Sequence, residues 1–218
     1  MTSLNQLSDI SQWDFDDIID VRSPSEFAED HIPGAINLPV LSDAERAIVG
    51  TIYVQEERFK ARKTGAALVA RNAADHIENA LSGKGGEWRP LVHCWRGGQR
   101  SGSFASILAQ IGWRTELLEG GYKTYRRLVV DYLYRQPLQH RLILLDGNTG
   151  TAKTDILNML GQSGAQALDL EGMAAHRGSL FGAVEVAQPS QKLFEGQLAK
   201  ALLDMDPSRP VLVEAESN

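Results

Sequence analysis

Pro90-Leu91-Val92-His93-Cys94-Trp95-Arg96-Gly97-Gly98-Gln99-Arg100 joins a short apolar run to a glycine-bearing turn. An amphipathic run follows from Ser101 to Ile111, with Phe104, Ile107, Leu108 and Ile111 at helical spacing. A strand, a glycine loop and a helix in that order form the repeating unit of parallel α/β sheets. The same alternation extends to both sides. Ile18-Ile19-Asp20-Val21 reads as a buried strand, and Ser23-Pro24-Ser25-Glu26-Phe27 as a helix start. Ser23 is its N-cap, Pro24 its first helical residue, and Glu26 closes a capping box. Ala35–Leu38 and Thr115–Leu118 read as further short strands, and Lys123–Tyr134 as a helix. Residues 42–81 have helical composition, with breaks expected near Gly50 and Gly65. Gln136-Pro137 marks a boundary, after which Arg141–Asp146 opens a fresh strand. A Gly-rich loop and a helix, Thr154–Leu160, come next, and Pro210–Ala215 is the last strand-like run. The pattern predicts an α/β chain with parallel sheets in two domains, 1–136 and 137–218.

The composition fits that class: 218 residues, 43% hydrophobic and 23% charged. No apolar run approaches the ~20 residues of a membrane helix. The acidic start, MTSLNQLSDISQWDFDD, has neither the basic nor the apolar segment of a secretory signal. The expectation is a cytoplasmic protein with no membrane partner. Cys94 is the single cysteine, which excludes an intrachain disulfide and a Cys-rich zinc site made by this chain alone. The net charge of −6 is unevenly spread. Residues 1–57 carry 2 basic and 12 acidic side chains, residues 58–141 carry 15 and 6, and residues 142–218 carry 5 and 10. The global balance argues against a general nucleic-acid coat protein, yet the middle block offers a local basic face to a polyanion. Arg58, Lys60, Arg62 and Lys63 form one acid-free cluster in it, and Arg126 and Arg127 a second.

Cys94 sits where a strand delivers it to a glycine loop at a helix start. Backbone N–H groups there, with Arg96 and Arg100 nearby, are expected to favour the thiolate and to cradle a tetrahedral anion. The candidate anion loop is therefore Cys94, Trp95, Arg96, Gly97, Gly98, Gln99 and Arg100. Asp20 and Arg22 are expected to pair as a buried structural salt bridge, and His93 to hydrogen-bond within the core. Trp95 is suited to stacking on a base or to packing at a domain interface.

At these residues a resemblance enters. Asp20-Val21-Arg22, Glu26-Phe27 and His31-Ile32-Pro33-Gly34-Ala35-Ile36-Asn37-Leu38-Pro39, followed by the cysteine loop, resemble the rhodanese signature. That resemblance implies a sulfur- or selenium-carrying cysteine. The loop departs from the usual Cys-x4-Arg, since Cys94 and Arg100 are spaced Cys-x5-Arg. His93-Cys94-x-x-Gly97-x-x-Arg100-Ser101 also fits the cysteine-phosphatase signature, so loop length leaves phosphatase and chalcogen transferase both open.

Asp146-Gly147-Asn148-Thr149-Gly150-Thr151-Ala152-Lys153-Thr154 follows a strand and opens a helix, the context of a Walker A loop. Gly147, Asn148, Thr149, Gly150, Thr151, Lys153 and Thr154 are its candidate phosphate ligands, and Thr154 is a candidate Mg²⁺ ligand. Ala152 stands where the second invariant glycine belongs, so crowding or unusual backbone angles are expected there. Glu214 and Glu216 end the last strand, near where such domains keep a metal-binding acid. Fused in one chain, the two loops resemble the tRNA 2-selenouridine synthase family. So do Glu57–Asn72, Leu118–Lys123 and His176-Arg177-Gly178-Ser179-x-Phe181-Gly182. The resemblance implies a rhodanese-like domain followed by a partial P-loop NTPase-like α/β domain, in a chain shorter than its family. It implies a transferase acting on wobble 2-thiouridine of tRNA, first S-geranylating it with geranyl diphosphate and then replacing the geranylthio group with selenium from selenophosphate. The resemblance further implies that Cys94 is required for the selenium step and that no cofactor is held tightly, and Arg177 is expected to join the basic clusters as a tRNA contact. A plain rhodanese sulfurtransferase, a phosphatase and an inactive tRNA- or nucleotide-binding module are the alternatives.

Overall fold

The computed structural model describes residues 1–148, 151–175 and 187–214. The chain divides into two compact units, Met1–Leu128 and Val129–Asn218.

The first unit is built on a four-stranded, wholly parallel sheet in the order β2-β1-β3-β4. Its strands are β1 (Asp17–Asp20), β2 (Ile36–Asn37), β3 (Pro90–His93) and β4 (Glu116–Leu117). Five helices serve it: α1 (Pro24–Glu29), α2 (Asp43–Gln55), α3 (Arg58–Glu78), α4 (Gln99–Ile111) and α5 (Gly121–Tyr134), the last running on into the second unit. The start of α1 is as its sequence predicts. Pro24 opens it, and the Glu26 carboxylate accepts the Ser23 backbone N–H at 3.2 Å. One core cluster gathers Ile19 and Val21 from the β1 region, Val92 of β3, Val69 and Ala73 of α3, and Phe104 and Leu108 of α4. Trp88 and Trp113 close it edge to face at 5.0 Å. Their indole N–H groups donate to Asp17 and to the Gly85 carbonyl at 2.6 and 2.8 Å, so the large rings are buried with their polar atoms satisfied.

The expected breaks at Gly50 and Gly65 do not occur. Both glycines lie inside helices, and the chain turns at Glu56-Glu57 instead. A helical glycine costs ~1 kcal/mol relative to alanine. At Gly65 an added Cβ would meet Val49 of α2 at 3.5 Å, ordinary packing distance, so the two helices lie in contact there. The α2 start is fixed by a capping box between Ser42 and Glu45. Asn72 ties α3 back to the Val40 carbonyl at 3.0 Å.

The second unit holds a three-stranded parallel sheet, β5-β7-β6, made of β5 (Leu142–Leu145), β6 (Gln166–Leu168) and β7 (Val211–Glu214). Helices α6 (Lys153–Gln162), α7 (Leu170–Met173) and α8 (Gln191–Leu203) accompany it. Val211 and Val213 are buried against Leu168 and Leu202, whereas the edge strand β5 leaves Leu144 63% exposed. Among the described residues no helix is long and apolar enough to cross a membrane.

Candidate functional site

Cys94 follows β3 directly and is 3% exposed. Its Sγ accepts the Gly98 N–H at 3.3 Å and the Ser101 hydroxyl at 3.1 Å. Burial opposes ionisation of the thiol. The Ser101 hydroxyl and the backbone N–H groups of Ser101, Arg96 and Gly98 outweigh it and hold Cys94 below the ordinary thiol value. The sulfur therefore sits in a cradle of fixed dipoles at the start of α4.

The backbone donors expected around the sulfur are present, but the expected help from the Arg96 and Arg100 side chains is not. Arg100 is turned to Glu26, with Nη1 2.7 Å from Oε2, and the same carboxylate also holds Arg46 at 3.0 Å. These pairs keep the Glu26 carboxyl below its usual range despite partial burial. The Arg96 side chain is exposed, and what it turns toward the sulfur is its backbone N–H. Ser101 is the functional residue that the sequence reading did not single out. Its signal was a hydroxyl immediately after Arg100, the last residue of the loop.

The loop rests on the start of α5. The Tyr122 and Lys123 N–H groups donate to the Cys94 and Trp95 carbonyls at 2.9 and 3.0 Å. The approach demands glycine at Gly121, where φ is +59° and a Cβ would lie 2.4 Å from the Cys94 carbonyl oxygen. Gly97, at φ +68°, faces this same turn. Trp95 packs on Tyr122 with ring centroids 5.1 Å apart.

Beneath lies a buried polar layer. Asp20 and Arg22 form the expected ion pair, with Nε 2.9 Å and Nη2 2.5 Å from Oδ2. The Arg22 guanidinium also donates to the Asp30 carbonyl at 2.6 Å and lies 3.9 Å from the Tyr122 ring centroid. The Tyr122 hydroxyl donates to Asp30 at 2.6 Å. The core hydrogen bond expected of His93 is absent: among the described residues its ring nitrogens have no hydrogen-bond partner, and Asp20 Oδ1 stands 3.9 Å away. Burial pushes the His93 pKa down, so the ring is held neutral as a packing group.

The basic residues Arg58, Lys60, Arg62 and Lys63 all lie on the first two turns of α3. Lys60 pairs with Glu56 on the surface. Arg58 and Arg62 join Gln99 and Arg100 around one cavity of about 650 Å³. Arg126 and Arg127 lie on α5, half-buried and exposed. Arg177, with the rest of the His176–Ser179 turn, lies outside the described residues, as do Thr149, Gly150 and Glu216.

In the second unit Gly147, Asn148, Thr151, Lys153 and Thr154 are gathered at the start of α6. Lys153 Nζ donates to the Gly147 carbonyl. Ala152 adopts φ +59°, the left-handed region that a glycine enters freely, so the methyl is accommodated at the cost of backbone strain. The Thr154 hydroxyl donates to Glu214 at 3.1 Å. Burial and the neighbouring Asp169 and Glu171 carboxylates raise the Glu214 pKa, against the Glu171 N–H and Thr154 hydrogen bonds. A divalent cation would relieve that crowded charge. Among the described residues no three acidic, His or Cys groups are arranged to enclose a metal. The arrangement suits Mg²⁺, which keeps waters and substrate phosphates as its other ligands.

Residues 2–128 match the rhodanese-like domain model, and residues 140–218 match the tRNA 2-selenouridine synthase AAA domain. The tRNA 2-selenouridine synthase of Nitrosomonas europaea is 39% identical over 204 residues, covering 92% of this chain and 53% of that protein. The protein of the same name from Bdellovibrio bacteriovorus is 38% identical, covering 85% and 49%. The chain thus spans about half the length of these curated relatives. Among solved structures, the N-terminal domain of a putative ATP/GTP binding protein from Clostridium difficile 630 is similar, with a TM-score of 0.50 and 34% identity. It covers 60% of this chain and 98% of that domain.

Proposed function

The chain belongs to the rhodanese-like family, and from that premise we propose that it is a tRNA-modifying transferase converting wobble 2-thiouridine to 2-selenouridine. The observation that carries this reading is the Cys94 sulfur, held by fixed donors in a chain that continues as a phosphate-loop domain of the selenouridine type.

The chemistry divides into two displacements. In the first, the thiocarbonyl sulfur attacks the first carbon of geranyl diphosphate. A C–S bond forms, the C–O bond to diphosphate breaks, and the base releases its N3 proton. In the second, the selenium of selenophosphate attacks C2 of the base and geranylthiol leaves. Water then takes the phosphoryl group from selenium, giving 2-selenouridine and phosphate. Alkylation turns a poor leaving group into a good one, which is why the geranyl step comes first.

The residues divide accordingly. The Cys94 loop receives the tetrahedral selenophosphate anion and serves the selenium step. Lys153, Thr154 and the N–H groups at the start of α6 stabilise the departing diphosphate. Thr154 and Glu214 would hold a Mg²⁺ ion, which would supply Lewis-acid stabilisation of that charge. Arg58, Arg62, Lys63, Arg126, Arg127 and Arg177 contribute to binding tRNA phosphates.

Mass spectrometry of wobble nucleosides tests the assignment, in cells lacking the gene and carrying each variant in turn. Cys94→Ser should accumulate the geranylthio nucleoside. Lys153→Ala should stop at 2-thiouridine, yet still convert tRNA supplied already geranylated. Normal selenouridine from a folded Cys94→Ser protein refutes the role of the cysteine. Loss of both half-reactions in both variants refutes the division of labour.

A further inference from the structure

The cavity bordered by α2, α3 and α4 is unlike an ordinary surface dent. Leu41, Ala61 and Val69 give it apolar walls, while Arg58 and Arg62 line it as basic residues and Arg100, paired with Glu26, closes one side. At about 650 Å³ it lies within the usual range of ligand sites, ~300–1,000 Å³. Gln99 and Arg100, the last two residues of the loop that holds Cys94, form part of its wall. Tyr53, 52% exposed, lines it too, and the Arg58 guanidinium lies 5.6 Å from the Tyr53 ring centroid. Phe59, the neighbour of Arg58, is 64% exposed. Among the described residues neither Arg58 nor Arg62 has a carboxylate within salt-bridge reach, and no acidic side chain lines the cavity.

We propose that this cavity receives a single unstacked nucleoside from an RNA loop. The base stacks on the Tyr53 ring, and Arg58 and Arg62 bond the phosphates on either side of it. The inference deepens the tRNA reading above and rests on it. Three features favour RNA as the occupant. A flat aromatic ring backed by a guanidinium plane is the surface on which splayed bases stack. The flanking charge, Arg58, Arg62 and Lys63 on two successive turns, is complementary to a polyanion. Gln99 and Arg100 also make the cavity continuous with the end of the Cys94 loop. A paired base cannot enter, so the site selects loops over duplexes.

The experiment compares fluorescence anisotropy for a labelled hairpin RNA with an unpaired loop and for the same strand annealed to its complement. Wild-type protein should prefer the hairpin. Tyr53→Ala should weaken hairpin binding about 5- to 150-fold, the usual span for losing one stacked base. It should leave duplex affinity unchanged, and Tyr53→Phe should restore the preference. Ala66→Trp, which fills the cavity from an exposed position on α3, should act like Tyr53→Ala. Hairpin binding unaffected by Tyr53→Ala and Ala66→Trp overturns the pocket while leaving the tRNA reading intact. Absence of RNA binding by the wild type overturns both. Tyr53-dependent binding to vesicles of anionic phospholipid without any hairpin preference assigns the surface to a membrane and likewise overturns the proposal.

Discussion

Replacing Ser101 by Ala isolates one donor from the Cys94 cradle. The Ser101 hydroxyl lies 3.1 Å from Sγ and is fully buried. A hydrogen bond to a charged acceptor contributes ~1.5–3 kcal/mol, and a large, diffuse sulfur places this one at the lower end, about 1.5. At 1.36 kcal/mol per unit, the variant thiol should titrate about one unit higher than wild type. The fraction ionised at neutral pH then falls up to ~tenfold, and selenium transfer falls with it if the thiolate is the working species. Ultraviolet absorbance of the thiolate during a pH titration reads the midpoint. The chain has one cysteine, so subtracting a Cys94→Ala protein removes the tyrosine background. Stability offers a second reading. A thiol whose pKa is depressed by folding stabilises the fold above its unfolded value, and that contribution is lost as pH falls through the folded value. Ser101→Ala should narrow that window from its acid side. An unshifted midpoint in a folded variant would mean that the backbone N–H groups alone set the acidity, and would refute the part given to Ser101.

Two further substitutions probe the frame around the sites. Gly121→Ala puts a Cβ 2.4 Å from the Cys94 carbonyl oxygen and 2.7 Å from the Gly97 nitrogen, at φ +59°. Urea unfolding should register a loss of about 3 kcal/mol, since backbone atoms cannot step aside, and a loss below ~1 kcal/mol contradicts the close docking. Glu214→Gln removes a carboxyl whose pKa is raised in the fold. Wild-type stability should decline as pH rises from the unfolded carboxyl value through the folded one, and the variant should lack that decline. Mg²⁺ should stabilise wild type more than the variant, and parallel pH curves for the two proteins would dispose of the idea.

Local chemistry made much of the fold legible in the sequence. Ser23-Pro24-x-Glu26 carries its own capping instructions, and the runs ending at His93 and Leu145 are strands because glycine turns follow them. The failures share a cause, in that long-range packing decided what local signals could not. Gly50 and Gly65 read as breaks, but tertiary contact between α2 and α3 outweighs the small helical penalty of glycine. The short strand β6 and helix α8 went unread in a stretch where the apolar pattern is brief. In the site, Cys94 and its loop were visible as a motif. Which group holds Arg100 was not, because Glu26 comes from an element 74 residues away. Gly121 was visible only as part of a turn, and the need for it arises from the loop it meets. Tyr53 carried no signal until folding set it beside Arg58.

The division within the cysteine loop has a consequence for substitution. The sulfur is restrained by the main chain and by one serine, and the carbonyls that anchor the loop are bound by backbone N–H groups of α5. Main-chain groups survive almost any substitution. The side chains of Arg96 and Gln99 point outward and take no part in holding the sulfur. Substitution at these two positions therefore alters the outer face of the loop without removing a donor to the sulfur. The face that a ligand of the loop would meet and the donors that hold the sulfur can thus vary independently.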